Sequence, residues 1–517
     1  MKNWQKWAMA IVGGVALAAA LALAAVGQLR GGEALALAQG TIYVDVDATG
    51  ANDGSSWEDA YTTLQPALDE AVAGDEIWVA AGTYTPTYLS DPSEPRSVTF
   101  QMKNGVALYG GFDPSVGDTE FEDRDWTSNE TILSGEVGSP GPADNAYHVF
   151  YHPPELALDD TAVLDGFTIT AGNANAATPY DRGGGMYNNG SSPAVVHCTF
   201  AGNSADNGGG MANYNASPVV TDCIFAENSV HQDSGGGMFN DHSSPSISRC
   251  TFAGNEAPDG AGMYNTESSP TVVNCTFTGN SGEVGAGLMN YDNVVAVVTN
   301  CTFSGNLASL YAGGIFNGHY NQPSTLIATN CILWGDTGGE IWHTQGSTQQ
   351  VSYSDVEGTV VYPGQHNIKV DPQFQDPGGA DFHLLPASPC IDTGTNGAAS
   401  LPATDFEGDA RIWDGDADGT ATADMGIDEF IITTLVVTYA GNGSGHVSLD
   451  PPGGVYEYGT VVTLTATADP GSSFAGWSGD AVGTTNPITL TMDTDKQVTA
   501  TFMTYRVYLP MVVRDAP

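Results

Sequence analysis

Positive charge is what this chain has least of: 13 Lys and Arg stand against 60 Asp and Glu, for a formal net charge of -47. Nucleic acid and anionic membrane surfaces repel such a chain and are excluded as expected partners. The acidity either keeps a long exposed surface in solution or binds cations. Cysteine is sparse, seven in 517 residues, and none lies near the N-terminal apolar run, which excludes a lipid-carrying cysteine there. Metal-type histidine spacing and a GHG-like motif are both missing around His148, His152, His231 and His242. What the chain has in plenty is Gly and Pro, 65 and 28, and at such density both break helices.

The glycines are not scattered. CTFAGN recurs from Cys198, as CIFAEN from Cys223, CTFAGN from Cys250, CTFTGN from Cys275 and CTFSGN from Cys301, with Cys331 opening a further copy. A second phrase keeps the same time: GGGMYN ends at Asn188, and its relatives carry Asn213, Asn240, Asn265, Asn290 and Asn317. Two phrases locked in one register of about 25 residues mean one structural unit per repeat, the mark of a solenoid. Within a unit the apolar residues alternate, as in Val196, Cys198 and Phe200, which is strand periodicity. Strands stacked in register about 4.8 Å apart form parallel sheets along an axis. The predicted fold is therefore all-β: a right-handed, single-stranded parallel β-helix followed by a small C-terminal β-domain.

Cys, Phe and the Met of GGGM are expected as internal ladders. Asn203, Asn228, Asn255, Asn280 and Asn306 are expected in a turn, where Asn tolerates a left-handed backbone and bonds its neighbours above and below. Cysteines stacked on parallel strands sit too far apart for a disulfide, so six read as buried small apolar residues; Cys390 stands outside the period. The paired phrases FxxN and GG(A/G)(I/L/M) resemble the repeats of polymorphic outer-membrane proteins and of right-handed β-helix proteins of the pectin-lyase-like superfamily.

The flanks carry further resemblances. Residues 1–38, with Lys2 and Lys6, the apolar run Trp7 to Leu29 and Ala36-Leu37-Ala38, read as a secretory signal cleaved before Gln39, or alternatively as a retained anchor. Residues 39–85 resemble the entry cap of secreted β-helix proteins, with a helix over Leu64 to Val72. The β-helix is assigned to 86–365. Residues 366–432, with VDPQFQDPGGADFHLLPASPCIDTGTN and DFEGDARIWDGDADGTATADMGIDEF, resemble the choice-of-anchor Q segment, which implies a secreted or cell-surface protein. Residues 433–503, with GTVVTLTATADPGSSFAGWSGD, resemble the divergent internalin B-type bacterial repeat, with Trp477 as its core plug. Residues 504–517 form a tail that is neither a membrane span nor an LPxTG signal.

Chemistry is harder to find. A lyase of this superfamily needs an Arg or Lys base beside acidic groups; a glycoside hydrolase needs two or three carboxylates around one site. The repeated coils offer only Arg182 and Arg249, and Asp159 and Asp160 are adjacent residues of a turn. No catalytic residue is assigned, and polysaccharide lyase or glycoside hydrolase is kept as the alternative function. Binding has the better case. In GGGMYN the Met and Asn share a parity, so Tyr187, Phe239, Tyr264 and Phe316 face the other side; if Met and Asn point inward, these four rings form an outer stripe suited to a linear glycan or a protein surface. They belong to the core if the parity is reversed or a loop covers them. Calcium is the one cofactor considered: Asp414, Asp416, Asp418 and Thr420 of DGDADGT, with Asp424, offer oxygen ligands; Met425 stands where an EF-hand has Glu, so Asp424 or Asp428 would have to substitute, and a merely solvated acidic turn is the other reading. The expected protein is a monomeric, secreted or cell-surface structural or adhesion protein that binds polysaccharide or other surface components.

Overall fold

The computed structural model describes residues 40–118 and 120–505, so the signal-like segment and the tail beyond Tyr505 lie outside the described residues. Two compact units are distinguished: the chain up to Ile412 with Thr422–Glu429, and Trp413–Ala421 with the chain from Phe430 onward.

In the first unit each repeat makes three short strands separated by sharp corners. Met186–Asn189, Ala194–Val196 and Thr199–Ala201 are one such coil. Each strand pairs in parallel with its equivalent one coil away, as Val195 with Val220, Phe200 with Phe225 and Met211 with Met238. The pairings accumulate into parallel sheets of 11, 10 and 8 strands, with one helix, Leu64–Glu70, at the start. Strands this short have one or two inward positions, so like residues superpose. Phe200, Phe225, Phe252, Phe277 and Phe303 form a column of stacked rings with centroids 4.6–4.9 Å apart and planes within 5° of parallel. Val195, Val220, Ile247 and Val272 line a second wall, and Met186, Met211, Met238 and Met263 a third; all are fully buried. All seven cysteines are buried and free.

The asparagines do more than turn a corner. The backbone N–H and Nδ2 of Asn228 both donate to Oδ1 of Asn255 (3.1 and 3.0 Å), while its Nδ2 also reaches the Phe200 carbonyl (2.9 Å). Asn203, Asn255, Asn280 and Asn306 repeat the pattern. Contrary to expectation, these Asn do not take the left-handed backbone. The residue before each one does, namely Gly202, Glu227, Gly254, Gly279 and Gly305, which frees the Asn side chain to turn inward. A second ladder, Asn188, Asn213, Asn240, Asn265 and Asn290, links Nδ2 to the next Oδ1 at 2.9–3.0 Å.

Both ladders have a direction, and their ends are chemically matched to it. The second begins at His152, whose Nδ1 lies 2.7 Å from Asn188 Oδ1; burial lowers its pKa to about 4, so the imidazole is neutral. The first ends at Asp336, which replaces Asn and accepts both Asn306 donors (2.7 and 2.9 Å). Glu340 Oε1 accepts the Asp336 N–H, and one oxygen of each carboxyl is buried with no hydrogen-bond partner. Burial first, then repulsion from Asp336, raises the Glu340 pKa to about 10, so the pair holds a proton at neutral pH.

The entry helix is shorter than expected. It buries Leu64, Ala67 and Leu68 and ends at Glu70, and Val72 is exposed. The far end is covered from the side. Asn274, Asn300 and Asn330, each preceding a ladder cysteine, bond the carbonyls of Thr404, Asp424 and Thr395. Arg411, wholly buried, donates to Asn274 Oδ1 and to the carbonyls of Ile427 and Asp428. The second unit holds a four-stranded and a three-stranded sheet. Its core gathers Leu464, Trp477, Met492, Val498 and Phe502, with Trp477 Nε1 bonded to the Thr485 carbonyl (2.9 Å), as expected of a core plug.

Two predictions follow from the ladders. Asn255→Ala strands the Phe225 carbonyl and two donors of Asn228, and should cost about 3–5 kcal/mol in denaturant unfolding, against under about 0.5 for exposed Ser244→Ala. The Asp336–Glu340 proton makes the coil that ends the first ladder pH-sensitive. A carboxyl with a raised folded pKa contributes stability that is full below about pH 4, where the unfolded chain is also protonated, and that is lost as pH rises toward Glu340's value of about 10. Hydrogen exchange in Ile332–Trp334 should therefore be slower at pH 5 than at pH 8 after correction for intrinsic rates, and Asp336→Asn should narrow the difference.

Candidate functional site

The expected aromatic stripe exists as a column and is mostly not a surface. Tyr187, Ala212, Phe239, Tyr264, Met289 and Phe316 stand in register. Met and Asn face the interior, so the rings point outward as parity requires. Yet Tyr187, Phe239 and Phe316 are only 2%, 8% and 6% exposed, and Tyr264 is partly covered. Their neighbours are the reason: Tyr187, Ala212 and Phe239 form one buried cluster with Tyr151, Tyr214 and Tyr264 against it, and Met289 and Phe316 another with Ala312, Val284 and Tyr291. Gly235 has φ +74°, and a Cβ there would lie 2.9 Å from the Phe239 Cβ; Gly260 stands in the same way against Tyr264. The turn backbone passes close to the base of each ring, and this packing removes Tyr187, Phe239 and Phe316 as an open platform and leaves Tyr264 partly covered.

The column becomes accessible one coil later. Phe316 pairs with Trp342, stacked at 5.7 Å with planes 9° apart. Trp342 is 40% exposed, and Tyr311, 46% exposed, lies 4.6 Å from it between centroids. Leu307 and Leu310, on the same strand as Tyr311, are also exposed. The sequence reading missed Trp342 because GGEIWH carries an extra residue within the phrase; aligning Ile341 with Ile315 would have shown it. A cleft of about 620 Å³ lies nearby in sequence, lined by Trp334, Asp371, Gln373 and Phe374 among others.

The two candidate bases are engaged. Arg249 grips Asp222 with two bonds of 2.7 Å, and Arg182 lies between Asp181 and Asp241 at 3.8 and 4.0 Å. His148 is buried and neutral, its pKa lowered to about 4 by burial. His231 bonds Ser204, and exposed His242 is held between Asp241 and Glu267, the hydrogen bond to Asp241 raising its pKa. Asp159 caps its own turn through Thr161. Each of these contacts serves the coils.

In the acidic loop the carboxylates turn onto the loop's own amides. Asp414 and Asp416 accept the Asp418 N–H at 3.0 and 2.9 Å, Asp414 accepts Gly419 N–H, and Asp418 accepts Thr420 N–H. Asp424 is buried in the other unit, where its carboxylate accepts the Asp392 N–H at 2.6 Å.

A group of which the sequence offered only Asp428, as a substitute calcium ligand, lies in the segment that closes the β-helix. His383, Glu407 and Asp428 each offer one ligand atom, all within 4.8 Å of one another. His383 sits on the strand Asp381–Leu384, and its Nδ1 is 2.6 Å from Asp381 Oδ1. Its Nε2 lies 3.8 Å from Glu407 Oε1. Asp428 forms the floor, 7% exposed, with Oδ2 accepting the Leu384 N–H at 2.8 Å.

Against this geometry the relationships of the chain are plain. Residues 159–303 and 224–361 match the right-handed β-helix region family, and residues 435–505 match the divergent InlB B-repeat domain. The coils of the first unit thus have the right-handed parallel β-helix fold, and residues 435–505 are similar to the InlB-type repeat. Among solved structures it is similar to pectate lyase Pel9A, at 14% identity and TM-score 0.44 over 76% of this chain and 96% of that one. It is also similar to a rhamnogalacturonan lyase, at 13% identity and TM-score 0.34 over 65% of this chain and 90% of that one. No curated protein matches it in sequence. Among the described residues no helix is long and apolar enough to cross a membrane.

Because Phe239 is buried in its cluster with Tyr187 and Ala212, Phe239→Ala should destabilise the β-helix by about 2–4 kcal/mol, as a core truncation does. Chemical denaturation checks this; an unchanged midpoint would restore the ring to the surface.

Proposed function

We propose that this is an extracellular, non-catalytic protein whose β-helix holds a neutral linear polysaccharide at a surface. The observation that carries the reading is the exposed Tyr311–Trp342 pair, backed by Phe316. Most large rings of the coils are buried against neighbours, whereas these two remain 46% and 40% exposed on strands of the β-helix. Ordered aromatic faces suit the apolar faces of sugar rings, and an exposed apolar patch on a soluble fold marks an interaction site. A chain of net charge -47 repels anionic polymers, which favours a neutral glycan. The stacked coils supply length and stiffness, as a surface spacer requires, and the paired ion contacts of Arg182 and Arg249 leave no evident base for elimination.

Affinity electrophoresis of the full chain in gels containing neutral β-glucans, mannans or xylans tests this. Retardation by at least one of them is expected. Trp342→Ala and Tyr311→Ala should each weaken it about tenfold with the melting temperature unchanged, while Trp334→Ala in the neighbouring cleft should not. Loss with Trp334→Ala alone would move the site to the cleft, and release of reducing ends or unsaturated uronates would replace the reading with an enzymatic one.

A further inference from the structure

We propose that His383, Glu407 and Asp428 form a binding site for a divalent transition-metal ion of the Zn²⁺ type, which staples the closing segment of the β-helix. Three donor atoms all within 4.8 Å of one another have a common point no more than about 2.8 Å from each. Inward movement of well under about 1 Å gives the roughly 2.1 Å that zinc takes with imidazole and carboxylate ligands. The two outer ligands can supply that movement, since the side chains of His383 and Glu407 are 51% and 35% exposed. Asp428 is fixed.

Two independent features point to a cation rather than to an acidic surface. The first is the histidine. Asp381 bonds Nδ1, which turns Nε2 toward Glu407; a carboxylate behind an imidazole is the arrangement that orients a metal-ligating His. The second is the floor. Asp428 is more than nine-tenths buried, and only one of its oxygens takes a hydrogen bond from the described residues, that from Leu384. Neither neighbouring group bonds the other oxygen: the Arg411 guanidinium is turned to the Asp428 and Ile427 carbonyls and to Asn274, and Asp405 is spent on the amides of Gly408, Asp409 and Glu429.

The donor set decides the kind of ion. One imidazole with two carboxylates suits Zn²⁺ or Mn²⁺, whereas Ca²⁺ prefers six or more oxygens. The three ligands come from a strand, a loop and the stretch just before the second unit. One ion therefore closes two chain loops in a region otherwise held by short strands and carbonyl contacts, and binding should appear as stability.

Isothermal titration of the full chain with ZnCl₂ after chelator treatment and dialysis tests the site. One equivalent should bind in the micromolar range and raise the melting temperature. His383→Ala and Glu407→Gln, both on exposed side chains, should each weaken binding at least tenfold while leaving the metal-free melting temperature unchanged. Asp381→Asn should weaken it about tenfold by releasing the ring, and Asp416→Ala in the acidic loop should have no effect. The proposal is overturned if the folded chain binds no zinc at 100-fold molar excess, if both ligand variants bind as the parent does, or if Ca²⁺ binds with the same dependence on Glu407 and none on His383. Polysaccharide retention in the ligand variants keeps this site separate from the Tyr311–Trp342 reading.

Discussion

The donor-to-acceptor direction of the asparagine ladders is the constraint on which the rest of this fold depends. A β-helix must bury its corners, and a corner leaves backbone groups without strand partners. Each inward Asn supplies both needs at once: its amide nitrogen closes the carbonyl of the Phe strand one coil behind, and its oxygen receives two donors from the rung before it. Buried in an apolar interior, such bonds are costly to leave unmade. Every rung therefore fixes the register of the next, and the Phe, Met and Val columns stack because the asparagines hold their strands in step.

A ladder with direction cannot end on the residue that builds it. The first rung lacks a donor behind it, and the last must accept without passing anything on. The chain resolves this by changing residue at the ends, with neutral His152 donating into one ladder and Asp336 closing the other. The second ladder also shows what interruption costs: Asn290 Nδ2 and Asn317 Oδ1 are both buried and unpaired. That break falls one coil before the column of outward rings emerges at Trp342. The regular coils end over the same short stretch, and the accessible surface chemistry of the β-helix collects there.

This explains which parts were legible in the sequence. Cys198, Phe200, Met186 and Asn203 announce themselves by period and parity, and their inward placement is as read. The left-handed corner at Gly202 was assigned to its neighbour because Asn and Gly both tolerate that backbone and the repeat contains them side by side. Tyr187 and Phe239 lie on the outward side of their strand, as parity indicates, but strand parity cannot show that neighbouring rings bury them. The His383, Glu407 and Asp428 constellation has no spacing signal, since its members are brought together by the fold of an irregular segment. Asn274, Asn300 and Asn330 did carry a readable sign: where earlier coils place His197, Asp222 and Arg249 before the cysteine, these place Asn, and those are the turns against which the closing segment docks.

The closing segment thus differs from the coils in kind. The coils hold themselves by repetition, so each site along them is one of many equivalents and tends to be structural. Residues 366–412 and 422–429 have no repeat to lean on. Their order comes from single contacts, above all buried Arg411 reaching Asn274 and the Ile427 and Asp428 carbonyls. A segment built from single contacts gains more from a cross-link than a ladder does, because no neighbouring rung duplicates what each contact holds. The same Asp428 whose carbonyl is held by Arg411 offers its carboxylate to the His383 cluster, so the anchor and the proposed ion site share one residue, and loss of either should loosen the same part of the β-helix cover.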